Sequence, residues 1–199
     1  PVAPDIPRYM LIALLIGLAA GSLLAYGLDT LDDSIRSAAA VKQHIGWDCL
    51  GVVPTIKWKK KDLPSHRIPF LNNEEVVEAY RTIRTNILLA RPLGALKILL
   101  TTSATPAEGK TTTGVNIAVV LAQTGRRVLL IDSDLRRPRI HRFFNIKNQK
   151  GLSSILANQA TFEECVLTTD IPGLELLPAG PVVSDPTTLL LAPSVKDFL

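Results

Sequence analysis

The residues best suited to chemistry in this sequence lie between Ala104 and Thr112, which read ATPAEGKTT. They follow the phosphate-binding pattern G-x-x-x-x-G-K-[ST], with Ala104 standing where the first glycine is usual. The chemistry needs these types in this order. Backbone N–H groups of Ala107, Glu108, Gly109, Lys110, Thr111 and Thr112 can wrap phosphate oxygens at a helix N-terminus, where the helix dipole also favours an anion. Gly109 permits close approach, Lys110 reaches the β- and γ-phosphates, and the Thr111 hydroxyl can ligate Mg²⁺. The competing reading is a chance Gly-Lys-Thr in a turn. An apolar run before the loop and an apolar helical stretch after it argue against chance.

A second group lies in Leu129–Arg136, LLIDSDLR. Asp132 and Asp134 fall at the C-terminal end of an apolar strand pattern, the place where open parallel sheets bind ligands. Two positions apart on an extended segment, both carboxylates are expected to face the mouth of the phosphate loop. There they can serve a metal ion or its waters, or accept a proton from an attacking hydroxyl. Lys110, Asp132 and Asp134 are therefore the candidate catalytic residues, with Thr111 and either carboxylate open as metal ligands. The alternative is an Asp-rich turn that merely caps the strand. A third pattern, Glu78-x-x-Arg81-x-x-Arg84, places one acid and two bases along one helical stripe. Spacing alone leaves open a solvated ion pair or an interface between subunits.

The elements needed to position these groups are legible in outline. Lys97–Thr102 and Arg127–Asp132 read as buried strands, and Leu174–Pro178 as a third. A helix is expected over Lys110–Gln123, ended by Gly125. Another starts at Asn73, an N-cap followed by Glu74 and Glu75, and keeps Val76, Tyr80, Ile83 and Ile87 on one face until Pro92 and Gly94 end it. Apolar strands alternating with helices predict an α/β fold with a parallel sheet covered by helices on both faces. Ahead of it, Ser37–Gly46 reads as a short helix with Ser37 as cap. Leu50–Val53 reads as an extended piece stopped by Pro54, and Thr55–Pro69 as a basic, proline-punctuated linker.

Met10–Leu28 carries no charge and is long enough as a helix to cross a hydrocarbon layer of ~30 Å. Gly17, Ala20, Gly21 and Ala25 give it a small-residue face. Arg8 alone makes a poor basic leader, and no cleavage pattern follows, so a transmembrane helix is preferred to a signal peptide. Basic residues concentrate on its C-terminal side, at Arg36, Lys42, Lys57 and Lys59–Lys61, which places that side in the cytoplasm. The lysine run is either a solvated linker or a contact for anionic lipid. The formal charge of +4 over 199 residues gives no case for nucleic acid. Cys49 and Cys165 stand far apart, outside any metal-binding spacing. The expected organisation is residues 1–9 as the end of an extracytoplasmic segment, 10–28 as the membrane helix, 29–72 as juxtamembrane segment and linker, and 73–199 as a C-terminally incomplete P-loop domain.

ATPAEGKTT together with LLIDSDLRRP resembles the Walker A and Walker A′ motifs of the bacterial tyrosine kinases of the capsule and exopolysaccharide machinery. The resemblance extends to the membrane helix, to Trp47–Pro54, to Gly151–Leu156 and to Leu177–Pro181. It implies a P-loop kinase fold using ATP and Mg²⁺, with Lys110 and Thr111 holding nucleotide and metal. Asp132 would be the candidate base or metal-linked carboxylate, Asp134 would assist, and Arg136 belongs to the same motif. It further implies that Glu78, Arg81 and Arg84 form a homo-oligomeric ring, and that the partners are a protein tyrosine and other polysaccharide-export components. A Walker B carboxylate and a tyrosine-rich tail, both expected of the family, are not found before Leu199, and truncation is the simpler account. The rival readings are a membrane-attached positioning ATPase and a non-catalytic co-polymerase subunit.

Overall fold

The computed structural model describes residues 5–30, 38–55, 73–90, 97–192 and 194–195. Ser37, the lysine run Lys59–Lys61, most of the linker, Pro92 and Gly94 lie outside the described residues. The chain divides into two compact units, Pro1–Cys49 and Leu50–Leu199.

In the first unit, helix α1 spans Ile6–Thr30 and helix α2 spans Ala38–Ile45. The part of α1 that is long and apolar enough to cross a membrane is Ile6–Leu28, which begins four residues before the stretch read from the sequence. None of it is buried against the protein. The hydroxyl of Ser22 donates to the Leu18 carbonyl at 2.8 Å and that of Thr30 to the Tyr26 carbonyl at 2.9 Å, so both are satisfied inside the helix. That is what an apolar surrounding requires of a polar side chain. After α2, Lys42 pairs with Asp48 at 2.8 Å on an exposed surface.

The second unit is built around helix α4, Lys110–Ala122. Every residue from Val115 to Ala122 is buried, and Asn116, the one polar side chain among them, donates to Thr112 O, so α4 is enclosed rather than amphipathic. Helix α3, Glu74–Leu89, covers one side with the expected stripe of Val76, Tyr80, Ile83 and Ile87 against Ile117, Val120 and Leu121. Its N-cap is Asn73, whose side chain accepts the Val76 N–H. The sheet covers the other side of α4. Strands β1 (Val128–Ile131) and β3 (Leu174–Leu177) are parallel, with Val128 opposite Leu174 and Ile131 opposite Leu177. Leu174 and Leu176 face α4 and pack with Val115, Ala118, Val119 and Ala122. One step along the pleat, Leu177 turns to the opposite face. It packs there with helices α6 (Leu152–Leu156) and α7 (Phe162–Cys165). Helices α5 (Ile140–Phe143) and α8 (Pro186–Leu191) complete the unit.

Two features depart from the expected sheet. Strand β2, Leu167–Thr168, has no counterpart in the sequence reading and runs antiparallel to β3, so the sheet is mixed, in the order β1-β3-β2. The expected strand at Lys97–Thr102 is absent: residues 97–102 take no regular structure, and Ile98, Leu99 and Leu100 are 78%, 43% and 78% exposed. An apolar run supplies side chains for a strand, but a ladder also needs a partner on at least one edge, and among the described residues this segment has none.

One close contact fixes the loop that leads into α6. Leu152 N–H donates to Pro178 O and Ser153 N–H to Ala179 O, both at 2.8 Å, which ties α6 to the end of β3. A Cβ on Gly151 would stand 2.1 Å from Pro178 O, so this approach of two backbones admits only glycine.

Candidate nucleotide site

The loop before α4 is shaped by its own side chains. Glu108 accepts the Thr105 N–H at 3.2 Å and the Thr105 hydroxyl at 2.6 Å, and these bonds hold its carboxyl below the usual range. Ala107 takes φ +68° and Gly109 φ +86°. For Gly109 this conformation carries no steric penalty, whereas for Ala107 it is a strained one. Left-handed residues two apart turn successive N–H groups toward one concavity, the geometry of an anion-binding nest.

Helix α4 starts from Gly109 with no side-chain cap. Its first internal bond is Thr113 N–H to Gly109 O at 2.8 Å. The N–H groups of Lys110, Thr111 and Thr112 donate to no acceptor among the described residues. Three uncapped first-turn donors beside a lysine and a nest are the groups that can receive an anion, and nucleotide phosphates are of matching charge. Among the described residues there is no cluster of three or more His, Cys, Asp or Glu side chains that could hold a metal. Mg²⁺ suits this site, because it is commonly bound by one or two protein ligands together with substrate phosphates.

The two carboxylates after β1 differ in a way that their spacing did not indicate. Asp134 lies 3.4 Å from Lys110, with side chains 29% and 36% exposed, and also accepts the Arg137 N–H at 3.0 Å. Partial burial raises its pKa, but the Arg137 amide and Lys110 outweigh that and hold it below the usual range. Asp132 is buried. Its Oδ2 accepts the N–H groups of Arg139 and Ile140, both at 3.0 Å, and its Oδ1 accepts that of Asp134 at 3.2 Å. Burial pushes its pKa up against the pull of these bonds. Asp132 thus brackets the loop, and Asp134 is the carboxylate that meets Lys110. Of the expected pair, only Asp134 reaches Lys110, while Asp132 is buried with its oxygens on loop amides.

Two residues not read from the sequence as site residues belong to the surroundings. Tyr80, on the buried face of α3, brings its hydroxyl to 3.5 Å from the Thr113 hydroxyl and so braces the first turn of α4. His141 has a buried Nδ1 without a partner among the described residues. Burial and Arg142 lower its pKa, although Asp132 pulls the other way. The apolar spacing of α3 pointed to Tyr80 as core. Nothing in the sequence pointed to His141.

The Glu78, Arg81, Arg84 stripe divides as well. Glu78 and Arg81 pair with each other on the exposed face of α3. Arg84 instead donates to Val120 O at 3.2 Å, satisfying a carbonyl in the last turn of α4.

A family profile described as AAA domain matches residues 106–194. The tyrosine-protein kinase YwqD of Bacillus subtilis is 44% identical over 61% of this chain and 51% of its own length. Among solved structures, the chimerical protein CapA2B2 superposes with a TM-score of 0.69 at 30% identity, over 81% of this chain and 68% of that one. The kinase domain of the Escherichia coli tyrosine kinase ETK superposes with a TM-score of 0.74 at 29% identity, over 83% of this chain and 68% of that one. The chain therefore spans about half the length of the Bacillus relative and two thirds of these structures. A phosphate loop opening an enclosed helix, a carboxylate at the end of the next strand, and likeness in both sequence and fold lead to one assignment: the chain belongs to the bacterial tyrosine-kinase family.

Proposed function

We propose that the protein carrying this chain is an ATP-dependent protein-tyrosine autokinase of the inner membrane that regulates the synthesis and export of an extracellular polysaccharide. The observation that carries the nucleotide half of this reading is the uncapped N-terminus of α4, with three free amides and Lys110 beside the Ala107–Gly109 nest. ATP is the substrate these groups would orient. Thr111 and Asp132 would hold Mg²⁺, which when bound neutralises charge on the phosphates. In the transfer, the phenolic oxygen of a tyrosine forms a bond to the γ-phosphorus. The bond from that phosphorus to the β,γ-bridging oxygen breaks, and ADP leaves with the electron pair. The phenolic proton passes to a carboxylate. Asp132 suits that role by its raised pKa and by the lone pair left on Oδ1, which accepts a single amide. Asp134 positions Lys110.

Glu78 and Arg81, exposed on α3, are the part of the stripe available to a neighbouring subunit in a ring. Helix α1 would anchor the assembly, with the P-loop unit on the cytoplasmic side, where ATP is found. Other polysaccharide-export components and a tyrosine acceptor would be its partners. The test is phosphotyrosine on the full-length protein, with Lys110→Met as control. Phosphotyrosine should appear in the parent and be lost from the variant, together with most ATP affinity. A parent that hydrolyses ATP without ever acquiring phosphotyrosine would replace the kinase reading with that of a positioning ATPase. Binding of ATP with neither hydrolysis nor transfer would favour a non-catalytic co-polymerase subunit.

A further inference from the structure

We propose that Arg137, Arg139 and Arg142 form a docking surface for an acidic polypeptide segment that brings the acceptor tyrosine to the site, so that the substrate class is a tyrosine flanked by carboxylates. This rests on the kinase reading above and adds the identity of the acceptor.

The three arginines are exposed and fall within six residues of one another. None of them pairs with a carboxylate among the described residues. The nearby acids are already engaged. Asp132 is held by three amides, Asp134 by Lys110 and the Arg137 amide, and Asp185 by the first turn of α8. Arg136, next in sequence, is different, because its guanidinium reaches the Thr187 hydroxyl at 3.4 Å. A run of unpaired guanidinium groups is costly in mutual repulsion unless a partner supplies the opposite charge, and guanidinium prefers planar oxyanions that it can grip with two N–H bonds.

Their backbone ties this surface to the site. The Arg137 N–H bonds Asp134 and the Arg139 N–H bonds Asp132, each at 3.0 Å, and Asp134 in turn meets Lys110. The arginines are thus the rim beside the carboxylates at which a phenol must arrive. No tyrosine among the described residues serves as that acceptor. Tyr80 is 2% exposed, and Tyr9 and Tyr26 sit in the apolar stretch of α1. A polypeptide strand can lie along the rim and place a tyrosine at its centre. An anionic bilayer, a flat surface, would close over the mouth instead.

The experiment uses the full-length protein in neutral-lipid nanodiscs, with a fluorescent peptide bearing one tyrosine among glutamates and a matched peptide bearing glutamines. The acidic peptide should bind at least tenfold more tightly, and added salt should erode the difference. Replacing the three arginines by alanine should weaken the acidic peptide about tenfold and leave the glutamine peptide and ATP affinity unchanged. Replacing all three by lysine should keep most of the preference. In phosphotransfer the alanine variant should raise KM for the acidic peptide with kcat held. Equal binding of the two peptides, or an alanine variant that loses both alike, would overturn the proposal. An effect confined to phosphatidylserine nanodiscs, with peptide binding unchanged, would overturn it in favour of lipid. Arginine-dependent peptide binding without any phosphotransfer would leave the docking surface standing and sink the kinase reading.

Discussion

Asp132 shows how far spacing alone can carry a residue. The period of two that aims alternate side chains to one side holds only within a strand, and β1 ends at Ile131. Past that point the backbone turns, and the Asp132 carboxylate folds back onto the amides of Asp134, Arg139 and Ile140. No local pattern announces a bond to a residue eight positions later. Asp132→Asn replaces one of the two accepting oxygens by a donor and leaves at least one amide unpaired, which should cost about 1–3 kcal/mol in urea unfolding. The two acids should also separate in a carboxyl NMR titration. Asp132 should protonate first on acidification and Asp134 last, with Lys110→Met moving Asp134 upward. The signs of their linkage are opposite. The stability contributed by Asp134 is present above the unfolded carboxylate value and lost as pH falls through its lower folded one. Ionising Asp132 instead weakens the fold as pH rises from the unfolded value through its higher folded one.

At the scale of elements, helices were readable where their spacing was strongly periodic. The apolar stripe and Asn cap of α3, and the helix opening at Lys110, appear where expected. The sheet was less so, because strand pairing is a non-local property. β1 and β3 announced themselves by composition, while the two residues of β2 carry no signal of their own. Side-chain partners across elements were equally invisible. Arg84 and Arg81 share a motif, yet one braces α4 and the other stays on the surface with Glu78. Arg84→Ala should therefore lower stability by about 1 kcal/mol. Arg81→Ala should leave stability within about 0.5 kcal/mol and instead loosen self-association in sedimentation of the full-length protein. Gly151→Ala forces a Cβ onto backbone rather than onto a movable side chain. A loss of more than about 2 kcal/mol is expected in denaturant unfolding, or failure to fold.

For the whole molecule, the two compact units meet between Cys49 and Leu50, inside the stretch 29–72 read from the sequence as juxtamembrane segment and linker. Helix α1 exposes Leu11, Leu14, Leu15, Ile16 and Leu18, each by more than half, over a stretch with no acid or base between Tyr9 and Leu28. Soluble domains rarely leave such a face to water. Alkaline carbonate should therefore leave the protein in the membrane pellet, and recovery in the supernatant without aggregation would remove the membrane-spanning role of α1.

The run Ile98-Leu99-Leu100, open to solvent, gives the second unit a stickiness of its own. Among the described residues strand β1 pairs only with β3, so its other edge offers N–H and C=O groups unmatched there as well. Hydrophobic side chains and an open edge are the two ingredients of uncontrolled strand addition between molecules. A detergent micelle can sheathe α1 but cannot satisfy a row of backbone hydrogen bonds. Colloidal stability of this chain in isolation is thus limited by two independent surfaces, and solubilising the helix treats only one of them.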